Sequence, residues 1–206
     1  NDAGRLGDGT TTTRTTPVRV SGLTGVTAIA GGTDHSLAVK SDGTAWAWGF
    51  NSYGQLGDGT TTWRTTPVQV SGLTGASAVA AGNQHSLALK SDGTVRAWGW
   101  NGYGKLGDGT TTTRTTPVQV SGLTGVTTIA SGVNHGLAVK SDGTVRAWGA
   151  NGYGQLGDGT ITDRSLPVQV SGFTGVIARA IAGGESHSLA AGPFVARTIT
   201  ASAAAN

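Results

Sequence analysis

Among its 206 residues the chain has no cysteine, no methionine and a single glutamate, Glu185. Without Cys there is no disulfide and no thiolate metal site, so an oxidising compartment is compatible with the chain but not demanded by it. The lack of Met predicts that residue 1 is not a native start, and no secretory signal pattern opens the chain. Charged residues make up only 12% of the total, which leaves long solvated helices little material to be made from. No apolar run approaches the length of a membrane-spanning helix, which argues against membrane insertion. The formal net charge is +3, yet Lys and Arg are dispersed without a run. A surface that tracks phosphates needs clustered cations, so nucleic acid is disfavoured as a partner.

What is present in quantity is glycine, 36 residues of it, together with Thr and Val. That is the usage of short twisted strands joined by tight turns. The dominant feature is a period. Tyr53, Tyr103 and Tyr153 stand fifty residues apart, and Gly-Asp-Gly-Thr recurs at 7–10, 57–60, 107–110 and 157–160. Pro17, Pro67, Pro117 and Pro167 keep the same step, as do His35, His85 and His135; His187 follows after a two-residue insertion. A fixed period of this length marks a repeat architecture, here a single domain of four units, 1–50, 51–100, 101–150 and 151–206.

Within one unit four short strands are expected. Pro67-Val-Gln-Val begins with a residue that has no amide donor and suits an outer edge strand. The small and β-branched run 76–81 suits a buried strand. His85-Ser-Leu-Ala-Leu-Lys alternates large and small side chains, and Ser91-Asp-Gly-Thr then supplies an Asp-Gly hairpin turn into Val95-Arg-Ala-Trp98. On that last strand Val95 and Ala97 face one way, Arg96 and Trp98 the other. Each such sheet exposes apolar faces alone and must lean on its neighbours, with small residues such as Ala97 against large ones such as Trp98 of an adjacent copy. The expected fold is therefore all-β, a β-propeller built from blades of four antiparallel strands.

The run Ala80-Ala-Gly-Asn-Gln-His-Ser-Leu-Ala-Leu-Lys-Ser-Asp-Gly-Thr-Val-Arg-Ala-Trp-Gly-Trp-Asn-Gly-Tyr-Gly-Lys-Leu-Gly closely resembles the regulator-of-chromosome-condensation repeat. The motif is complete around His35 and His85. Gly136 departs from it by replacing the Ser after the His, and beyond Leu189 the last copy loses the Asp-Gly hairpin. The resemblance implies a propeller, usually of seven blades, in a family that serves nucleotide exchange on a small GTPase, chromatin attachment, ultraviolet sensing in plants and enzyme inhibition by secreted bacterial proteins. Fold alone does not choose among these. Four copies leave three architectures open: a closed four-bladed ring, a ring completed by a second chain, or part of a longer array. Asn1 begins inside what would be a Trp-Gly-x-Asn segment, which favours a fragment or a ring completed by oligomerisation.

Four histidines in one repeated environment raise the question of a metal site. A hydrogen bond from each ring to the adjacent blade explains His35, His85, His135 and His187 as architecture instead. Asp8, Asp58, Asp108 and Asp158 sit one to a loop, whereas calcium gathers several oxygens within one loop. An Asx turn, with Arg14, Arg64, Arg114 and Arg164 pairing the carboxylate at the surface, is the expected role. Ser86 and His85 point to opposite faces of a strand, which rules out a simple dyad between them. Trp48, Trp98 and Trp148 are read as packing residues between blades. No catalytic residue, metal or cofactor is assigned.

The copies 51–100 and 101–150 agree at about 37 of 50 positions, so their differences stand out. Several fall in loops: Phe50, Trp63 and Trp100 as exposed aromatics, and Asp34, Gln84, Asn134 and Glu185 as variable polar positions. Loops on a rigid scaffold carry recognition, and exposed aromatics anchor protein or glycan partners. Drift at unconstrained positions is the competing explanation. The expectation is a non-catalytic scaffold for a macromolecular partner, extracellular or at the surface of a bacterial cell, with open ends that favour self-association into a homo-oligomer. Guanine-nucleotide exchange and a designed consensus scaffold without a natural ligand are the alternatives.

Overall fold

The computed structural model describes residues 1–172, 178–192 and 196–199; the notable sequence change at 193–195 and the last residues of the fourth unit, 200–206, lie outside the described residues. All regular structure described is β. The first sheet contains β1 (Val26–Gly31), β2 (His35–Lys40), β3 (Ala45–Gly49) and β4 (Arg64–Gln69), hydrogen-bonded in that order and antiparallel throughout. Strands β5 (Ala76–Ala81), β6 (His85–Lys90), β7 (Val95–Gly99) and β8 (Arg114–Gln119) repeat the arrangement. So do β9 (Val126–Ser131), β10 (His135–Lys140), β11 (Val145–Gly149) and β12 (Arg164–Gln169). The fourth sheet holds β13 (Ala180–Gly183), β14 (Ser188–Ala191) and β15 (Ala196–Ile199).

The outer strand departs from the sequence expectation in two ways. It starts at Arg64, three residues before Pro67, and it closes the sheet of the preceding unit by pairing with β3. Pro67 is tolerated inside it because the ladder is already irregular between Ala47 and Gly49, so the missing N–H sacrifices no regular bond. In the first three sheets the hairpin between second and third strands turns on Asp-Gly as expected: Lys90 N–H donates to Thr94 O, and Thr94 N–H to the Asp92 carboxylate, both at 2.9 Å.

Strand alternation gives every sheet two unlike faces. Leu87, Leu89, Val95 and Ala97 project to one side and pack in a single cluster with Leu106, Val120, Leu123, Ala138 and Trp148 of the next sheet and its approach loop. Leu37, Val39, Ala45 and Ala47 meet Ala88 and Trp98 in the same way, and Leu137, Val139, Val145 and Ala147 meet Ala190. A leucine-rich face thus covers an alanine and tryptophan face, sheet after sheet, with β1, β5, β9 and β13 contacting in that order along the inner side. Among the described residues the first and last sheets form no such seam with each other.

The seam is open at the first sheet. Leu73 and Leu123 are buried, whereas Leu23 at the same position is only half-buried; Val26 is 41% exposed where Val126 is 5%. Leu73→Ala and Leu123→Ala should each lower stability by about 2–5 kcal/mol through a cavity, read as a shift of the urea midpoint. Leu23→Ala should cost less than about half as much, because its side chain is not enclosed.

Candidate functional site: an aromatic strip on the loop face

The excursion 50–63 leaves the third strand, crosses towards the following sheet and returns as β4. Gly99, like its counterparts, permits the departure: its φ is 102°, and a Cβ there would lie 2.4 Å from Gln84 O. Buried Asn51 organises the excursion. Its Nδ2 donates to Thr60 O and Thr62 O, each at 3.1 Å, and its Oδ1 accepts from Leu56 N–H at 2.9 Å. Asp58 forms the Asx turn, accepting from Thr60 N–H at 3.0 Å, and takes both Arg64 Nε–H and Nη2–H at 3.0 and 2.8 Å. Asp108 and Arg114 repeat the pairing, and Arg164 donates through Nε to Asp158 at 2.7 Å. The four carboxylates are not at the surface as the sequence suggested: their side chains are 3–8% exposed, because Arg pairs with each and, for Asp58, Asp108 and Asp158, an Asn donates as well.

The far end of the excursion is locked to the next sheet. Ser86 stands opposite Trp98 in the ladder, so both project to one face, and both donate to Gln55 O at 2.8 Å. His35 Nε2 lies 2.9 Å from the same Ser86 Oγ, and His135 Nε2 2.8 Å from Ser188 Oγ. With its only proton already directed to Gln55 O, Ser86 must accept from His35 Nε2–H. That leaves Nδ1 as a buried, unpartnered acceptor in His35, His85 and His135. The serine is therefore not paired with an imidazole acting as base, and the ring cannot accept a second proton cheaply. Burial holds His35 down to about 4, and burial plus His187 holds His135 there too.

In the third unit Gly136 occupies the serine position, and the Trp148 ring fills the space a side chain would need: a Cβ would meet it at 2.4 Å. His85 turns instead to Ser131 on β9, Nε2 to Oγ at 3.1 Å. The corresponding residues elsewhere, Gly31, Ala81 and Gly183, carry no hydroxyl, so loss of one serine is matched by gain of another.

On the face of these loops lie five aromatic rings in unbroken succession. Trp63 and Phe50 have centroids 4.9 Å apart, Phe50 and Tyr53 6.4 Å, Tyr53 and Trp100 6.0 Å, Trp100 and Tyr103 5.5 Å. All are tilted or edge-on, the arrangement ring quadrupoles favour. Trp63 is 49% exposed and Tyr103 42%. Beneath the strip runs Lys105, fully buried, with Nζ 4.0 Å from the Trp100 ring centroid and donating to Asn134 Oδ1 at 2.6 Å. Desolvation lowers its amine to about 7.

A family model for the regulator of chromosome condensation repeat matches residues 1–39, 42–89, 92–139 and 142–191. The chain belongs to that family. A second model of the RCC1 repeat matches 26–55, 76–105 and 126–155. Comparison with curated protein sequences yields no significant match. Among solved structures the chain is similar to Prp20p from Saccharomyces cerevisiae, described with its binding to Gsp1p and histones, at 22% identity and a TM-score of 0.75. The match covers 90% of this chain and 46% of that one, so the chain spans about half the length of the yeast protein. Human WBSCR16 is matched at 21% identity and a TM-score of 0.61, over 95% of this chain and 66% of that one. The computationally designed Ika4 protein follows at 14% identity and 0.52, over 86% and 91%. At these identities the likenesses show the RCC1 propeller-type fold.

Within this RCC1 array Phe50, Trp63 and Trp100 come together, joined by Tyr53, Tyr103 and Lys105, which sequence reasoning passed over. The tyrosines recur unchanged at the fifty-residue step, so a search among variable positions overlooks them; Lys105 in the place of Gln55 and Gln155 was the available signal. Asp34 accepts from Arg5 Nη1 at 2.7 Å while its side chain stays 39% exposed, and Asn134 accepts from Lys105 Nζ. Gln84 supports Trp100 through its backbone, accepting Trp100 N–H at 2.8 Å. Glu185 stands apart, on a cavity of about 390 Å³ lined by Gly32, Gly82, Gly132 and Gly184 of the four sheets. Trp48, Trp98 and Trp148 are buried, each donating Nε1–H to a loop carbonyl, of Arg5, Gln55 and Lys105 respectively. The described His, Asp and Glu residues form no group of three able to hold a metal ion.

Two outcomes are expected. Stability should climb with pH in two windows, because in each the unfolded chain holds protons that the folded chain has released. Between about 4 and 6.5 the groups are His35 and His135; between about 7 and 10.5 the group is Lys105. Lys105→Gln, the residue of the sister copies, should abolish the upper rise, leave the lower one and stabilise the protein at neutral pH by about 1–3 kcal/mol, followed by thermal melts across pH. Ser131→Ala should cost about 1–3 kcal/mol by stranding His85 Nε2; if Ser131→Ala melts like wild type, that hydrogen bond is not holding the seam.

Proposed function

We propose that the chain is a non-catalytic RCC1-repeat scaffold that binds a protein or glycan partner through its aromatic strip. One observation carries this reading: three large rings placed at loop positions where the third copy has Ala or Thr converge with two repeated tyrosines into a single half-exposed row. Contiguous exposed aromatic surface on a rigid support is the usual form of a recognition anchor. Rigidity comes from below, since Asn51, Asp58 and the donors to Gln55 O hold the loop that bears Trp63 and Tyr53. The His–Ser contacts of the seams support a structural role, because the serine proton is committed to a carbonyl. With no thiol or thioether to oxidise, the chain is compatible with the extracellular or cell-surface location that this reading expects. The likeness to Prp20p, at 22% identity, bears on fold and lends no separate support to nucleotide exchange.

The test replaces each ring by the residue of the third unit, Phe50→Ala, Trp63→Thr and Trp100→Ala together, and compares both proteins on arrays of immobilised glycans and folded cell-surface proteins. Binding seen for wild type should fall at least about thirtyfold, the loss of one anchor residue of about 2 kcal/mol. A triple variant that keeps every wild-type interaction at full strength would remove the strip as the binding surface.

A further inference from the structure

The loops of the aromatic strip present free hydrogen-bond donors but keep their amide and carboxylate oxygens turned inward, and we infer that the strip binds an extended proline-rich segment of a partner protein, laid along the row as a polyproline II helix. This rests on the strip being the binding surface and names the chemistry of what it binds.

The free donors stand out against the rest of the chain. Of its six tryptophans, five give Nε1–H to a protein oxygen: Trp46 to Thr44 Oγ1, Trp63 to Ser52 Oγ, and Trp48, Trp98 and Trp148 to loop carbonyls. Trp100 Nε1–H has no acceptor among the described residues, and neither have the hydroxyls of Tyr53 and Tyr103. Both tyrosines are exposed, and the Trp100 nitrogen is not enclosed.

Acceptors on the same loops are already engaged. Asn51 Oδ1 and Asn101 Oδ1 take Leu56 and Leu106 N–H, Gln55 Oε1 takes Tyr53 N–H, and Asp58 and Asp108 take Thr and Arg donors. A glycan presents hydroxyls that donate as well as accept and would leave some of them unanswered. A polyproline II segment brings the complement: its carbonyls have no internal partner, and its prolines carry no N–H to satisfy. A cationic ligand gains little at Trp100, because the Lys105 amine already lies 4.0 Å from that ring centroid.

Shape agrees with chemistry. Neighbouring ring planes meet at 46–50°, and at 75° for Trp100 and Tyr103, so the row is a series of ridges and not the flat platform on which sugar rings stack. Its ring-to-ring step of 4.9–6.4 Å is roughly two residues of a polyproline II helix, which rises about 3.1 Å per residue. Aromatic-lined grooves exploit that preformed helix because little entropy is lost on docking it. Trp100 is itself set in place: its ring lies where a Cβ on Gly102 would be, 2.3 Å away, whereas the first unit has Ser52 at that position.

The test titrates the 206-residue chain into fluorescein-labelled decaproline and a labelled peptide of five Ala-Pro repeats, read by fluorescence anisotropy. Both should bind to saturation, and a peptide of five Gly-Ser repeats should not. Trp100→Phe keeps a ring but removes the N–H, and should weaken the proline peptides about two- to twelvefold. Gly102→Ser removes no ring but displaces Trp100, and should weaken them by a similar factor through lost preorganisation; thermal melts check that both variants fold. Failure of both proline peptides to bind, or binding that Trp100→Phe leaves at full strength, overturns the proline-rich ligand. If cellohexaose or another glycan binds through Phe50, Trp63 and Trp100 and neither proline peptide does, the strip stands as the binding surface and the ligand assigned here falls alone. If the triple variant retains all binding, both readings fall.

Discussion

Everything in this molecule depends on the seam between consecutive sheets, where a face of Leu and Val closes over a face of Ala and Trp. Neither face is stable in water, and neither can be covered within its own sheet, so each unit is completed by the next. The alternation of size is what makes the closure tight: Ala88 and Ala138 leave the depth that Trp98 and Trp148 fill. A buried polar bond from His to Ser then pins the register of one sheet on another, because only one relative placement satisfies both groups.

The same seam positions the loop face. Gln55 O, at the tip of an excursion from the first sheet, accepts from both Ser86 and Trp98 of the second. Loop and neighbouring sheet are thus held by the bonds that hold the seam, and rings carried on the excursion inherit that rigidity. Freedom remains for side chains that make none of the seam's hydrogen bonds, which is where Phe50, Trp63 and Trp100 differ from their counterparts. The third unit shows how far the frame itself can change. Gly136 and Ser131 depart together and keep His85 bonded, and Lys105 trades an amide for a buried amine braced by Trp100 and Asn134.

Much of the fold was legible because period, turn chemistry and alternation all point the same way. The Asp-Gly hairpins, the opposite faces of Ala97 and Trp98 and the packing of Ala97 with Trp148 were readable from residues alone. The outer strand was misassigned by three residues and placed with the wrong sheet, since Pro67 reads as a start locally while the partner strand lies some fifteen residues upstream. The depth of Asp58 was equally unreadable: charge suggests solvent, and only the folded loop brings Arg64 and Asn51 over it. Convergence of Tyr53 and Tyr103 with Phe50 and Trp100 joins two units, and no single repeat contains it.

Sequence by itself determined the repeat, its strand count and the two unlike faces of every sheet, because these follow from side-chain order along a backbone of fixed pleat. Tertiary structure alone decided whether a given stretch became a strand. Arg-Thr-Thr-Pro-Val is an outer strand at 64–68 and 114–118 and none at 14–18. A strand's hydrogen bonds belong to the chain beside it, so identical residues take different structures according to whether that neighbour is there.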